Sequence, residues 1–224
     1  MYRPKAFDEP RLALQHQLIR EFPLGWLNVQ GPQGLLADPI PFLLDDAPTE
    51  HGLGTLRGHL ARANPMAAAL RDASACLIVF QGPQAYVTPS WYPSKLEHGK
   101  AVPTWNYAAV QVHGAPRIVD DADWLRTQVD GLTRQMETGR EHPWSVDDAP
   151  PAFVDAMLRA VIGVDIPIQR IEGKWKVSQN RPAADREGVV SGLQREGERP
   201  VEAMASAMAS AMAALVAAHP GLAE

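Results

Sequence analysis

Residues 25–44 read GWLNVQGPQGLLADPIPFLL. Two apolar runs flank QGPQG, and Gly31-Pro32 falls where the chain must reverse, so the stretch predicts a β-hairpin. Pro39 and Pro41 lack the N–H that a ladder needs, which puts the second strand at an edge or a bulge. Two strands joined by so short a turn pair antiparallel, and the neighbouring segments repeat the pattern.

ACLIVF, QGPQ and AYVTP (75–89) read as a second hairpin, and TLRGHLA (55–61) as a strand. TWNYAAVQVHG (104–114) reads as a strand that turns at Gly114-Ala115-Pro116 into RIV, and DIPIQRIEG (165–173) as a further strand. Between them lie helices. Asp8 is placed to cap one near Glu9-Pro10, with Leu12, Leu18, Ile19 and Phe22 on one face and an end by Pro23. Asn64 and Pro65 open another. Asp120–Asp123 starts a third, with Leu125, Val129, Leu132 and Met136 as its apolar stripe, and PAFVDAMLRAVIG (151–163) is a fourth. DREGVVSGLQREGERP (185–200) reads as a polar connector. Met204, Met208 and Met212 then recur every fourth residue, as on a packing face of a helix. About six strands in hairpin order with helices beside them predict an α+β fold around an antiparallel barrel or sandwich. A doubly wound sheet is disfavoured, because strands and helices do not alternate.

The totals narrow the function. The chain has 224 residues, 46% hydrophobic and 21% charged, with a net charge of −5 and a pI near 5.8. That balance argues against a surface built mainly for nucleic acid, and no helix-turn-helix or basic recognition helix is present. The single cysteine, Cys76, lies in an apolar run and reads as an inert core thiol. With no internal disulfide possible, and no apolar stretch for a signal or a membrane span, a reducing cytoplasm is the expected location. The seven histidines are scattered, which gives a metal site no support.

Three polar clusters could carry chemistry. RGHLARANP (57–65) brings Arg57, His59, Arg62 and Asn64 to a helix start, where free N–H groups and forked guanidinium donors suit an anion. It reads equally as a cap and a solvated arginine. SWYPSKLEHGKAVPTWNY (90–107) collects Trp91, Tyr92, Trp105 and Tyr107 in one loop-and-strand unit, with Lys95 and Asn106. Aromatic faces bracket flat rings, and an amide reads a heterocycle edge. The alternative is a loop pinned by its own rings. KWKVSQNRP (174–182) holds Lys174, Lys176 and Arg181 among neutral hydrogen-bonding groups, a set suited to a bound anion or to a solvated loop. A ligand with a flat, hydrogen-bonding ring and a phosphate would use all three clusters, and flavin mononucleotide (FMN) has that shape.

At these residues the chain resembles a known family. MYRPKAF, GHLARANP, GPQAYVTPSWYPSK, VPTWNYAAVQVHG and KWKVSQNRP, in that order, are similar to the PaiB-type family of FMN-binding negative transcriptional regulators. The resemblance implies an antiparallel split β-barrel with flanking helices, like that of pyridoxamine-phosphate oxidases, over residues 1–193. Residues 194–224 would be an Ala/Met-rich helical tail outside it, so that trimming the chain after Pro200 should leave the flavin site intact. The resemblance also implies a homodimer with FMN in the interface. Ile40 and Phe42 would then lie along the isoalloxazine, and His59, Arg62 and Asn64 near the phosphate. Trp105 and Asn106 would face the ring, Trp91, Tyr92 and Lys95 would line its open side, and Gln179 and Arg181 would close the site. Where relatives carry His-Leu before a Pro-Phe step, this chain has Asp38-Pro39-Ile40. The other reading of the same pocket is an FMN-dependent oxidoreductase acting on a small planar substrate, with His59 its one candidate proton donor. Direct DNA contact and catalysis stay open at this point.

Overall fold

The computed structural model describes residues 1–47, 49–197 and 203–219, with side chains described from residue 207 in the last stretch. In chain order the elements are β1 (Asp8–Glu9), α1 (Leu12–Glu21), β2 (Leu24–Gly31), β3 (Gly34–Pro41), β4 (Leu43–Asp45), β5 (Thr55–Ala61), α2 (Pro65–Asp72), β6 (Cys76–Val87), α3 (Ser94–His98), β7 (Thr104–Gly114), β8 (Arg117–Val119), α4 (Ala122–Glu137), α5 (Pro151–Ala160), β9 (Val161–Lys176), α6 (Ala183–Gly197) and α7 (Ala203–Ala218). Among the described residues the sheet has nine strands with the path β3-β2-β6-β7-β9-β5-β4, and β1 and β8 also pair with β9.

The opening hairpin forms as expected. β2 and β3 pair antiparallel from Leu24↔Pro41 to Gly31↔Gly34, around the two-residue turn Pro32-Gln33. Gly34 has φ +124°, a conformation that side chains resist. β3 ends the sheet path, so its two prolines sit where no further strand asks for an N–H.

The chain divides into two compact units. One holds residues 1–11, 81–110 and 172–224, and the other holds 12–80 and 111–171. In the larger unit, Ile19, Leu27, Leu56, Leu70, Ile78 and Ile166 are buried, and Phe42 meets Phe80 edge to face at 6.0 Å. β5 pairs with β9 from Thr55↔Pro167 to Ala61↔Val161, and β8 pairs with β9 at Arg117↔Asp165. A satellite core joins Leu125, Val146, Val154 and Leu158, with Trp124 and Val129 against it. Trp124 lies over Gly163, where an added Cβ would come within 2.4 Å of the indole. In the other unit, Val87, Tyr92, Trp175, Val177, Val189, Leu193, Met212 and Val216 are buried, and α7 packs against α6.

Several expectations are corrected. Residues 76–87 form one strand, not a hairpin at Gly82-Pro83. The last β2–β6 pair is Trp26↔Val79, so Pro83 lies past the stretch that β2 pairs with, and its missing N–H costs that ladder nothing. Asp8 caps no helix. It lies in β1 opposite Lys174 and accepts from Arg3 Nη1 at 2.5 Å. α5 ends at Ala160, and Val161–Gly163 belong to β9 because β5 and β8 offer ladder partners there. The polar connector is helix α6, because Val189 and Leu193 are buried there one turn apart. α2 starts as expected, with Asn64 Oδ1 accepting from Met66 N at 2.9 Å. Of the methionine stripe, Met212 is buried, while the side chain of Met204 lies outside the described residues.

Candidate functional site

The expected site residues divide between the two units. Ile40, Phe42, His59, Arg62 and Asn64 belong to the larger one. Ile40 and Phe42 are buried and pack over Gly58, where a Cβ would sit 3.1 Å from the Phe42 ring and 3.2 Å from Ile40 Cγ2. His59 Nδ1 donates to Gln128 Oε1 at 2.7 Å, and Gln128 Nε2 donates to the Arg57 carbonyl at 3.4 Å. The buried Gln128 oxygen can only accept, so it holds the neutral imidazole as the Nδ1–H tautomer. Arg62 forks onto Asp120 with two contacts of 2.7 Å and also donates to the carbonyls of Arg159 and Val161. Its hydrogen bonds hold Asp120 below the usual carboxylate range. Arg57 is paired likewise, with Asp45 and Asp165. Asn64 spends its amide N–H on Asp38 Oδ2 at 2.8 Å, so the residue that departs from the family pattern holds the helix cap.

Trp91, Tyr92, Lys95, Trp105, Asn106, Gln179 and Arg181 belong to the other unit. Trp91 lies in a notch of α6. A Cβ on Gly192 would come within 2.2 Å of its indole, and one on Gly188 within 2.0 Å of its carbonyl oxygen. Tyr92 is buried with Arg181 over its ring at 4.8 Å, and burial pushes its phenol up. Lys95 is exposed on the short α3, which Asp185 anchors by accepting from Ser94 N and Oγ. Trp105 is half exposed. Its Nε1 donates to Gln84 Oε1 at 3.0 Å, and Tyr86 meets its ring edge to face at 6.2 Å. Gln179 folds back on its own loop, accepting from Val177 N and donating to the Trp175 carbonyl.

The structure brings β7 and the end of β9 together in this unit. Asn106, 1% exposed, donates from Nδ2 to Ser178 Oγ at 2.9 Å, and its Oδ1 has no partner among the described residues. Ser178 is the one described residue other than glycine with positive φ, at 65°. That conformation costs a serine about 1–3 kcal/mol and persists only where surroundings impose it. Lys176 Nζ donates to Thr104 Oγ1 and, at 2.7 Å, to the Trp105 carbonyl. Burial first, and then the charges of Lys174 and Arg181, hold its ammonium below the ordinary lysine range. Lys174 is buried beside the Tyr107 ring, 5.3 Å from its centroid. Gln84, Tyr86 and Thr104 were not among the expected site residues, and Ser178 stood only among the neutral hydrogen-bonding groups of residues 174–182. Tyr86 and Gln84 could be found only once 76–87 is read as one strand, and nothing local in SQN marks the strained serine.

A half-exposed indole, a buried amide with one open polar atom and cations within the same unit fit a flat, polar, negatively charged group such as a flavin. Elsewhere, Cys76 donates to the Gly114 carbonyl, and burial pushes its thiol up to about 12, far from a reactive thiolate. Among the described residues, no group of three or more His, Cys, Asp or Glu is placed to hold a metal, and no helix is long and apolar enough to cross a membrane.

This fold is an α+β antiparallel split barrel with flanking helices. The solved FAD- and haem-binding protein of Mycobacterium smegmatis is similar to it, with a TM-score of 0.52 at 15% identity, over 75% of this chain and 73% of that one. At that identity the likeness concerns the fold alone. The family model described as "Putative FMN-binding domain" matches residues 1–170, and the chain belongs to that family, the PaiB-type family that its motifs resemble. It is 38% identical over 230 residues to an uncharacterised protein of Emericella nidulans, covering 88% of this chain and 92% of that protein. It is 31% identical over 205 residues to the protease synthase and sporulation protein PAI 2 of Bacillus subtilis, covering 92% and 95%.

Proposed function

We propose that this protein binds FMN and acts as a flavin-linked negative regulator of gene expression. The observation that carries the flavin reading is the open amide of Asn106 next to the half-exposed Trp105, because a buried polar atom without a partner is costly unless a ligand completes it. Trp105, steadied by Gln84 and Tyr86, offers a face for stacking. Asn106 contributes an amide to the ring edge, and Lys174, Lys176 and Arg181 offset negative charge. When bound, the flavin would supply redox chemistry that no side chain here provides. The regulatory reading draws on the Bacillus relative, whose name ties that protein to protease synthesis and sporulation.

The active form we infer is a homodimer. Leu24 and Trp26 of β2 share a sheet face with Leu35 and Pro39 of β3 by register, and Leu24, Trp26 and Leu35 are 57%, 51% and 79% exposed. Three large exposed apolar side chains on one sheet face suit a second copy of the chain.

The test is mass spectrometry of the small molecule that co-purifies, with titration of FMN followed by flavin fluorescence. Saturable binding is expected, and its absence would remove the reading. The oxidoreductase alternative is favoured by the same exposed Trp105 face, on which a planar substrate could also stack. Turnover with NADH or NADPH, seen as bleaching and recovery of the flavin band, would select it.

A further inference from the structure

We propose that Lys174, Lys176 and Arg181 form a site for an oxyanion, the phosphate or carboxylate of a small molecule, at the end of β9. The inference deepens the flavin reading and rests on it for one of two sources of the anion, the phosphate of FMN itself or the acid group of a second ligand.

Three cations gather in one unit, and among the described residues none of them is in an ion pair with a carboxylate. Three acidic groups of the same strands and helix have partners of their own. Asp8, opposite Lys174, accepts from Arg3. Glu172 accepts from the N-terminal ammonium at 2.8 Å and from Arg3 at 3.5 Å. Asp185 accepts from Ser94. An ammonium has three N–H donors, and the two neutral acceptors on Lys176, Thr104 Oγ1 and the Trp105 carbonyl, occupy two. Arg181 sits over the Tyr92 ring, which positions the guanidinium without neutralising it.

The second observation is independent of charge. Asn106 lies next in sequence to Trp105, whose carbonyl Lys176 grips, and is hydrogen-bonded to Ser178, two residues beyond Lys176. Ser178 Oγ can donate or accept, so either orientation of the Asn106 amide leaves one polar atom open. Like charges this close disfavour one another, and an anion set among them would relieve the repulsion. The left-handed Ser178 keeps the loop in the conformation that joins these groups.

The test titrates inorganic phosphate into the 224-residue chain at constant ionic strength, as purified and after saturation with FMN, reading heat of binding and the thermal midpoint. Lys176→Gln and Arg181→Gln are compared, each checked for fold by circular dichroism. Riboflavin and FMN are titrated into all three proteins. If a second ligand is the source, phosphate binds the FMN-saturated protein, and each variant weakens that binding about tenfold. If the cofactor is the source, phosphate competes with FMN, and the variants weaken FMN about tenfold more than they weaken riboflavin. The proposal is overturned if phosphate shows no saturable binding and folded variants keep the wild-type preference for FMN over riboflavin. Riboflavin binding that survives this result leaves the flavin reading standing without the anion site.

Discussion

Single residues here show how far charge and shape can be read without a partner in view. Arg62 has the composition of a phosphate contact, yet its guanidinium is forked onto Asp120, a residue 58 positions away. Trp91 has the composition of a ring wall, yet it fills the space that Gly188 and Gly192 leave on α6. A Cβ at residue 192 would meet the indole at 2.2 Å, so Gly192→Val should lose about 1–3 kcal/mol of stability, read from urea unfolding. A midpoint equal to wild type would show that the notch is loose. His16 makes a pH-dependent case. Burial, against the Leu53 carbonyl bond and aided by Arg20, lowers its pKa. The unfolded chain therefore binds this proton more tightly, and the contribution of His16 is present above about pH 6.5 and lost as pH falls below it. His16→Gln should flatten the fall in stability between about pH 6.5 and 5 relative to wild type, measured by denaturation at each pH. Parallel curves would exclude His16 as a source of the dependence.

At the scale of elements, hairpin punctuation was legible once and misleading once. Gly31-Pro32-Gln33-Gly34 turns because β2 and β3 pair on both sides of it, while Gly82-Pro83 carries the same letters inside a twelve-residue strand. The letters describe local permission to turn, and pairing decides whether it is used. The capped helix α2 was readable because its signal, Asn64 before Pro65, is complete within four residues. α6 was not, since its polar sequence earns no helix by periodicity and its apolar side is defined by what lies against it. α7 supplies part of that cover, burying Ala209, Met212, Ala213 and Val216. Removing residues 201–224 should therefore lower stability, by roughly 3–6 kcal/mol from the lost burial of Met212 and Val216 alone. An unchanged thermal midpoint in the trimmed chain would show that α6 stands without it.

For the whole molecule, the open question is assembly. The β2–β3 face exposes Leu24, Trp26 and Leu35 beside Asn28 and Gln30, and a dimer interface would bury these apolar side chains. Trp26→Glu places a charge at its centre. Light scattering on eluting protein should then find the variant as a monomer and the wild type as a dimer. A wild-type chain that elutes as a monomer at micromolar concentration would refute the homodimer.

By itself the sequence determined the class: an acidic chain with one cysteine, an antiparallel α+β fold opened by the 25–44 hairpin, and the motifs that place it in its family. Those features depend on neighbours in sequence, on periodicity and on turn chemistry, and they survive without coordinates. Only tertiary structure decided which polar groups are spent and which remain open. Arg62 and Asn64 find Asp120 and Asp38, while Asn106 keeps a bare amide atom and Lys176 stands among other cations. Satisfaction of a polar group is a property of the space around it, and residues far apart along the chain fill that space.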